Sequence, residues 1–276
     1  MVKKVIATDL DGTLFYPKDH KNMICPANLF FIQSFIDNGG KVIIVSGRSL
    51  AYGIKVEKRI GRDVDIVSFN GACIYQNKKV IFSKEISREE VKSIINDVLA
   101  SYKCLAVAIF TDSGIYVHSK KDSKIILGLS KIYFEWQGVL AEKINFSNQK
   151  YQKVLESERI YKILIFFGIT KGARNRAMET NKIIRNTYEN VESSWSGACI
   201  ETTYRNINKG EAIKKYCELN HLKKEDIYVV GDSGNDITMF KEFHEHSFAM
   251  SHAPKSVKKY AKYSLDKYED LSRYIY

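Results

Sequence analysis

Proline is scarce in this chain, with three in 276 residues. No proline-rich linker marks a boundary, so domain limits have to be read from changes of pattern. No C-x-x-C pair occurs. The five cysteines (Cys25, Cys73, Cys104, Cys199, Cys217) are scattered and odd in number. That argues against a disulfide frame or a cysteine zinc site and fits reduced, packed thiols in a cytoplasmic protein. Long apolar runs are also missing. Leu105–Phe110 and Ile163–Ile169 are short, against the roughly 20 residues that span a bilayer. The opening MVKKVIATDLDG reaches an aspartate too early for a signal peptide. No internal repeat or low-complexity segment is visible.

No basic run exceeds a pair, although the formal net charge is +11. Lysines spread along the whole chain read as solvated surface, or as a field that draws in small anions. Neither nucleic acid nor membrane is expected as a partner. His244 and His246 in FHEHSF have no cysteine nearby and read as a surface turn rather than a metal pair.

Three stretches share one grammar. KKVIATDLDGT, KVIIVSGRS and DIYVVGDSGND each run β-branched residues into a small polar turn. Continuous Val/Ile runs fit strands buried on both faces, as in a parallel sheet. Between the first two, Leu29, Ile32, Phe35 and Ile36 have helical spacing, and Gly39-Gly40 ends the segment. After NINKG, EAIKKYCELNHL reads as another helix. Both ends of the chain are therefore βαβ-like, and ligands of such sheets bind at the strand carboxyl ends. From Lys84 the pattern changes to α+β. ISREEVKSIINDVLASY is helical with Ser87 as N-cap and Glu90 three residues on. CLAVAIFT and GIYVHS form a hairpin-like pair around Asp112-Ser113, and a helix near Gln149–Ser157 precedes the strand RIYKILIFF.

Asp9 and Asp11 end the first strand. Side chains two apart on an extended segment point the same way, so both carboxylates can enter one site. Their repulsion asks for a divalent cation, and Mg2+ prefers oxygen ligands. Gly12 permits a tight turn and Thr13 can cap the segment after it. An EF-hand starting at Asp9 fails, because its sixth and twelfth positions are Leu14 and His20. Ser46 offers a hydroxyl, Gly47 an amide and Lys209 a charge just before a helix. GDSGND supplies Asp232, Asn235 and Asp236. Each has a plain structural alternative: Ser46 a cap, Lys209 a surface charge, Asp232 a turn residue. Together, in this order and at strand ends, they read as a phosphate site.

These residues carry a resemblance. IATDLDGTL, IIVSGRS, FNGA, NINKGEAI, VVGDSGNDITMF and, more loosely, FAMSHAPKSVKKYA resemble the haloacid dehalogenase superfamily, specifically the large-capped Cof-type phosphatases of subfamily IIB. The resemblance implies an α/β fold: a Rossmann-like parallel-sheet core at 1–83 and 190–276, with an inserted α/β cap at 84–189 that sets substrate specificity. It implies that Asp9 attacks phosphorus and that Asp11 is the general acid and base. It implies Mg2+ held by Asp9, the Asp11 carbonyl and Asp232, with Ser233 nearby and Asp236 behind them, orienting the ion's waters or Lys209. Leu10, Ser46, Gly47, Lys209 and Asn235 would bind the phosphoryl group of a small phosphorylated metabolite. A phosphomutase of the phosphomannomutase type and a non-catalytic phospholigand-binding regulator are the rival functions. The chain departs from the family in Ser251-His252, where Gly-Asn is common, and in Asn206, where a turn Gly is common. Which of Tyr133, Phe134, Trp136 or Arg185 meets substrate is not legible in the sequence.

Overall fold

A computed structural model describes residues 4–101, 104–119, 141–168, 170–196 and 199–275. In chain order the elements are β1 (Val5–Thr8), α1 (Pro26–Asp37), β2 (Lys41–Val45), α2 (Leu50–Ile60), β3 (Asp65–Ser68), β4 (Cys73–Gln76), β5 (Lys79–Ser83), α3 (Arg88–Ser101), β6 (Ala106–Thr111), β7 (Gly114–Ser119), β8 (Ile144–Asn145), α4 (Asn148–Ser157), β9 (Ile160–Phe166), α5 (Lys171–Thr187), β10 (Val191–Ser196), β11 (Cys199–Tyr204), α6 (Lys209–Asn220), β12 (Ile227–Gly231), α7 (Ile237–Glu242), β13 (Ser247–Met250) and β14 (Tyr263–Leu265). They divide into two compact units, 1–83 with 207–276, and 84–206.

The first unit holds one sheet in the order β14-β13-β12-β1-β2-β3-β4-β5. Strands β14 to β3 are parallel, and β4 and β5 extend the sheet antiparallel. The Val/Ile runs are buried as their pattern predicts, with β1, β12 and most of β2 inaccessible. Helix signals also hold. Ser49 Oγ accepts the Tyr52 N–H ahead of α2, and Gly61 ends that helix in the left-handed region. From β1 the chain winds outward through β2 and β3. It later returns on the other side of β1, as β12, and winds outward through β13 and β14. The winding therefore reverses between β1 and β12, the position where open α/β sheets hold ligands.

The second unit holds a sheet in the order β10-β11-β9-β6-β7-β8, antiparallel except for β7 with β8. Val91, Ile94 and Val98 of α3, Tyr151 and Leu155 of α4 and Ala177 and Ile184 of α5 pack with Val107, Ile109, Ile163 and Ile165 of the strands in one cluster. Ser87 Oγ accepts the Glu90 N–H as the capping pattern predicts.

One boundary needs correction. The expected core segment 190–276 begins too early, because residues 190–206 belong to the second unit. Strand β11 pairs with β9, Ile200 opposite Ile165, and β10 pairs with β11. The hairpin reads as polar, VESSWS and CIETTY, yet buries Val191 and Ile200 in that unit's core. Asn206, where the chain crosses back, has φ 61°, the left-handed backbone that asparagine tolerates. All five cysteines are free thiols. Among the described residues no helix is long and apolar enough to cross a membrane. His244 and His246 sit in a short surface turn, with His246 stacked on Tyr228.

Candidate active site

Strand β1 delivers Asp9 to the point where the winding reverses. Its N–H donates to the Val230 carbonyl of β12 at 2.9 Å, continuing the ladder one residue past the strand. The chain then leaves the extended path. The Leu14 and Phe15 N–H groups close back on the Asp9 and Leu10 carbonyls, and Gly12 has φ 83°. The two aspartates consequently do not share one set of partners, as strict strand alternation predicted. Asp9 is buried, and its Oδ1 accepts from Lys209 Nζ at 2.6 Å. Asp11 faces solvent, and both of its oxygens accept from Arg48, from Nε at 2.8 Å and Nη2 at 2.7 Å.

Lys209 is the first residue of α6, capped by Asn208 Oδ1 on the Glu211 N–H. It is fully buried and donates also to Asp236 Oδ1 at 2.6 Å. Its helix approaches α7 closely: a β-carbon on Gly210 would lie 2.5 Å from the Thr238 carbonyl oxygen. Asp236 is saturated. Its Oδ2 accepts the backbone N–H groups of Asp232 and Ser233, both at 2.9 Å, and the Ser233 hydroxyl. That hydroxyl also donates to Asn235 Oδ1 at 2.6 Å, and Asn235 Nδ2 donates to Asn70 Oδ1. Asp232 accepts from Thr13 Oγ1 at 3.2 Å, so Thr13 serves the site rather than capping a helix.

Ser46 follows β2 and is buried. Its Oγ accepts the Arg48 N–H, and its carbonyl accepts the Asn70 N–H. Gly47 lies against Asn70. Leu10 is buried in the turn. The departure at Ser251-His252 lies beside the cluster. His252 packs on Tyr16 with ring centres 4.0 Å apart, and its Nε2 is 3.8 Å from Asp232 Oδ2. The Ser251 N–H donates to the Leu265 carbonyl, and its own carbonyl accepts from Lys258.

The cluster has an unbalanced charge. Asp9, Asp232 and Asp236 bring ligand oxygens within 4.8 Å of one another, with one buried ammonium among them. Burial pushes the Asp9 carboxyl up to about 7; Lys209 opposes this, while Asp236 and Asp11 add to it. Burial likewise raises Asp232, with Asp236 adding to it. Burial alone would lower Lys209, but Asp236 and Asp9 outweigh it and hold the ammonium charged. Three carboxylates around one ammonium are relieved by a further cation. Because Asp236 is already saturated, Asp9 and Asp232 are the carboxylates available to one. Among the described residues Asp9 Oδ2 accepts no hydrogen bond. The donor set, hard oxygens only, fits Mg2+.

Sequence reading assigned no role to Arg48 or Asn70, although both lie inside quoted motifs. It marked His252 only as a departure. Tyr133, Phe134 and Trp136 lie outside the described residues, and Arg185 is exposed on α5.

Comparisons with known proteins identify the family. The profile of the haloacid dehalogenase-like hydrolases matches residues 6–272. The 5-amino-6-(5-phospho-D-ribitylamino)uracil phosphatase YwtE of Bacillus subtilis is 26% identical over 91% of this chain and 88% of its own. A phosphoglycolate phosphatase of Methanobrevibacter smithii is 24% identical over 86% of this chain and 81% of its own. The solved subclass IIB sugar phosphatase BT4131 shares the fold, with a TM-score of 0.73 at 21% identity, covering 99% of this chain and 98% of its own. A haloacid dehalogenase-like hydrolase of Bacteroides thetaiotaomicron superposes with a TM-score of 0.79 at 20% identity, covering 99% of each chain. With the profile spanning nearly the whole sequence and the acidic cluster at the sheet's reversal point, the chain belongs to the haloacid dehalogenase-like hydrolase family, and its enzyme class is that of the phosphatases it resembles.

Proposed function

We propose that the protein is a Mg2+-dependent phosphatase that hydrolyses small phosphorylated metabolites through a phosphoaspartate on Asp9. The observation that carries the reading is Lys209, fully buried, hydrogen-bonded to both Asp9 and Asp236 beside Asp232. The relatives act on small phosphorylated molecules, as their names state.

Asp9, Asp232 and the Asp11 carbonyl would hold the cation. Ser233 ranks behind them, since Asn235 and Asp236 engage its hydroxyl. Bound there, Mg2+ neutralises charge on the carboxylates and on the phosphoryl oxygens. The chain's own groups carry the steps. An Asp9 oxygen attacks phosphorus, and the bond from phosphorus to the leaving oxygen breaks. Asp11 gives that oxygen its proton, then takes one from water as the water attacks the phosphoaspartate. The Asp9–phosphorus bond breaks, and phosphate and the free carboxylate are restored. Lys209, the Ser46 hydroxyl, the Leu10 and Gly47 amides and Asn235 bind the phosphoryl oxygens, where charge builds in the transition state.

Phosphate release from a panel of metabolite phosphates, with Mg2+ and with excess chelator, tests the reading. Release that needs Mg2+ and disappears in Asp9→Asn is expected. Transfer of the phosphoryl group to a second sugar without free phosphate would make the protein a phosphomutase. Binding without turnover would make it a regulator.

A further inference from the structure

We propose that Arg48 recognises a second anionic group on the substrate, which makes phosphomonoesters that also carry a carboxylate or another phosphate the preferred class. The inference rests on the phosphatase reading above.

Arg48 already holds an anion. Its fork meets both Asp11 oxygens side-on, Nε to Oδ2 at 2.8 Å and Nη2 to Oδ1 at 2.7 Å. This planar two-point match accepts carboxylate and phosphate alike, and an ammonium could not reproduce it. Contacts other than Asp11 fix the Arg48 backbone and pack its guanidinium against a ring. The Arg48 N–H donates to Ser46 Oγ at 3.2 Å, and its carbonyl accepts the Phe69 N–H at 3.0 Å. Its Cζ lies 4.5 Å from the centre of the Tyr52 ring, which is itself buried in α2. The fork is therefore pre-positioned two residues from Ser46, at the rim of the phosphoryl site, with the Asp11 side chain 48% exposed in front of it.

Asp11 has to turn toward the leaving oxygen to act on it. While both of its oxygens face Arg48, it cannot. A substrate carboxylate or second phosphate replaces Asp11 on the fork, one anion for another, and Asp11, freed of the guanidinium, takes a proton from water and turns to the ester oxygen. A leaving group without a charge offers no replacement, so Asp11 must give up its two-point contact with the fork and nothing on the substrate takes its place. Preference for the second anion results, in both binding and turnover. A charge-assisted bidentate contact corresponds to about tenfold or more in affinity.

The test compares 3-phosphoglycerate with glycerol 3-phosphate, which differ only in a carboxylate for a hydroxymethyl. In the full-length enzyme kcat/KM should favour 3-phosphoglycerate by about tenfold or more. Arg48→Gln should bring the ratio close to one, and Arg48→Lys should fall between. A purely structural role would lower both substrates together and keep the ratio; that result, or a wild-type ratio at or below one, overturns the proposal. Calorimetric dissociation constants for the same pair on Asp9→Asn, with and without Arg48→Gln, read the subsite without turnover. Arg48-dependent preference there, with no phosphate released by the wild type, would keep the subsite and remove the phosphatase reading. Phosphate release with a ratio unmoved by Arg48→Gln would do the reverse.

Discussion

Gly12 and Asp232 occupy one space: a β-carbon on Gly12 would lie 2.4 Å from Asp232 Oδ2. The turn after β1 passes so close to the acidic loop after β12 that only a glycine fits, and its φ of 83° asks for the same residue. Gly12→Ala should therefore displace Asp232 while leaving the sheets intact. The left-handed backbone costs about 1–2 kcal/mol for alanine. The expected outcome is a small fall in melting temperature with a loss of Mg2+ affinity measured by calorimetry. Unchanged affinity would show that Asp232 does not hold the cation.

Asp9 and Asp11 should fail differently. Asp9→Asn should abolish turnover. Asp11→Asn should lose about 10²–10⁴-fold on an alkyl phosphate, whose departing oxygen needs a proton. On p-nitrophenyl phosphate the first step should survive, because nitrophenolate leaves without one. A burst of nitrophenolate should then appear, with phosphate trapped on Asp9 and visible by mass spectrometry. Two variants equally inactive on both substrates, with no trapped phosphate, would end this division of labour.

Metal binding should depend on pH below neutrality. Burial pushes Asp9 up to about 7 in the metal-free chain. A cation needs the carboxylate ionised, so affinity is fully present above 7 and is lost as pH falls through it. Between pH 8 and 6 the apparent Mg2+ affinity should fall about tenfold, with proton release on binding. A flat profile in calorimetry would contradict this protonation state.

Lys209→Ala should destabilise the fold by about 3–5 kcal/mol, because it leaves two buried carboxylates facing each other unpaired. Mg2+ should recover part of that loss, since it supplies charge to the same cluster. Denaturant titrations with and without the ion measure both effects.

The position of the unit boundary has its own test. A chain lacking 84–206, closed by a short linker, should keep a cooperative core. A chain lacking only 84–189 would retain β10 and β11 without β9, exposing Val191 and Ile200, and should aggregate. Equal solubility of the two would contradict the boundary at 206.

Most of the site was legible because its residues follow buried strands that declare themselves by unbroken Val/Ile runs. Asp9, Ser46 and Asp232 each come just after such a run. The pairing of Asp11 with Arg48 was not legible. It depends on a turn that abandons strand alternation at Leu10, and on where a loop 37 positions away comes to rest. The hairpin β10–β11 escaped for another reason. Only alternate residues are buried, and serine and threonine take some of those places: Ser193 spends its hydroxyl on Asn181. His252 was visible as an unusual residue, but its proximity to Asp232 arises from the packing of its ring on Tyr16.

The order of synthesis gives the partnership of β1 with β12 a temporal meaning. Asp9 and Lys209 are 200 positions apart, and at about 5–20 residues per second the lysine is translated roughly 10–40 s after the aspartate. The second unit, continuous in sequence, is synthesised within that interval, and its last residue, 206, precedes the lysine by only three positions. The first strand meanwhile waits with one hydrogen-bonding edge open and its nucleophile without a counter-charge. The nascent chain cannot assemble the cluster early, so no truncated product carries the chemistry. The waiting edge of β1 is also the segment that a ribosome-bound chaperone would need to shield.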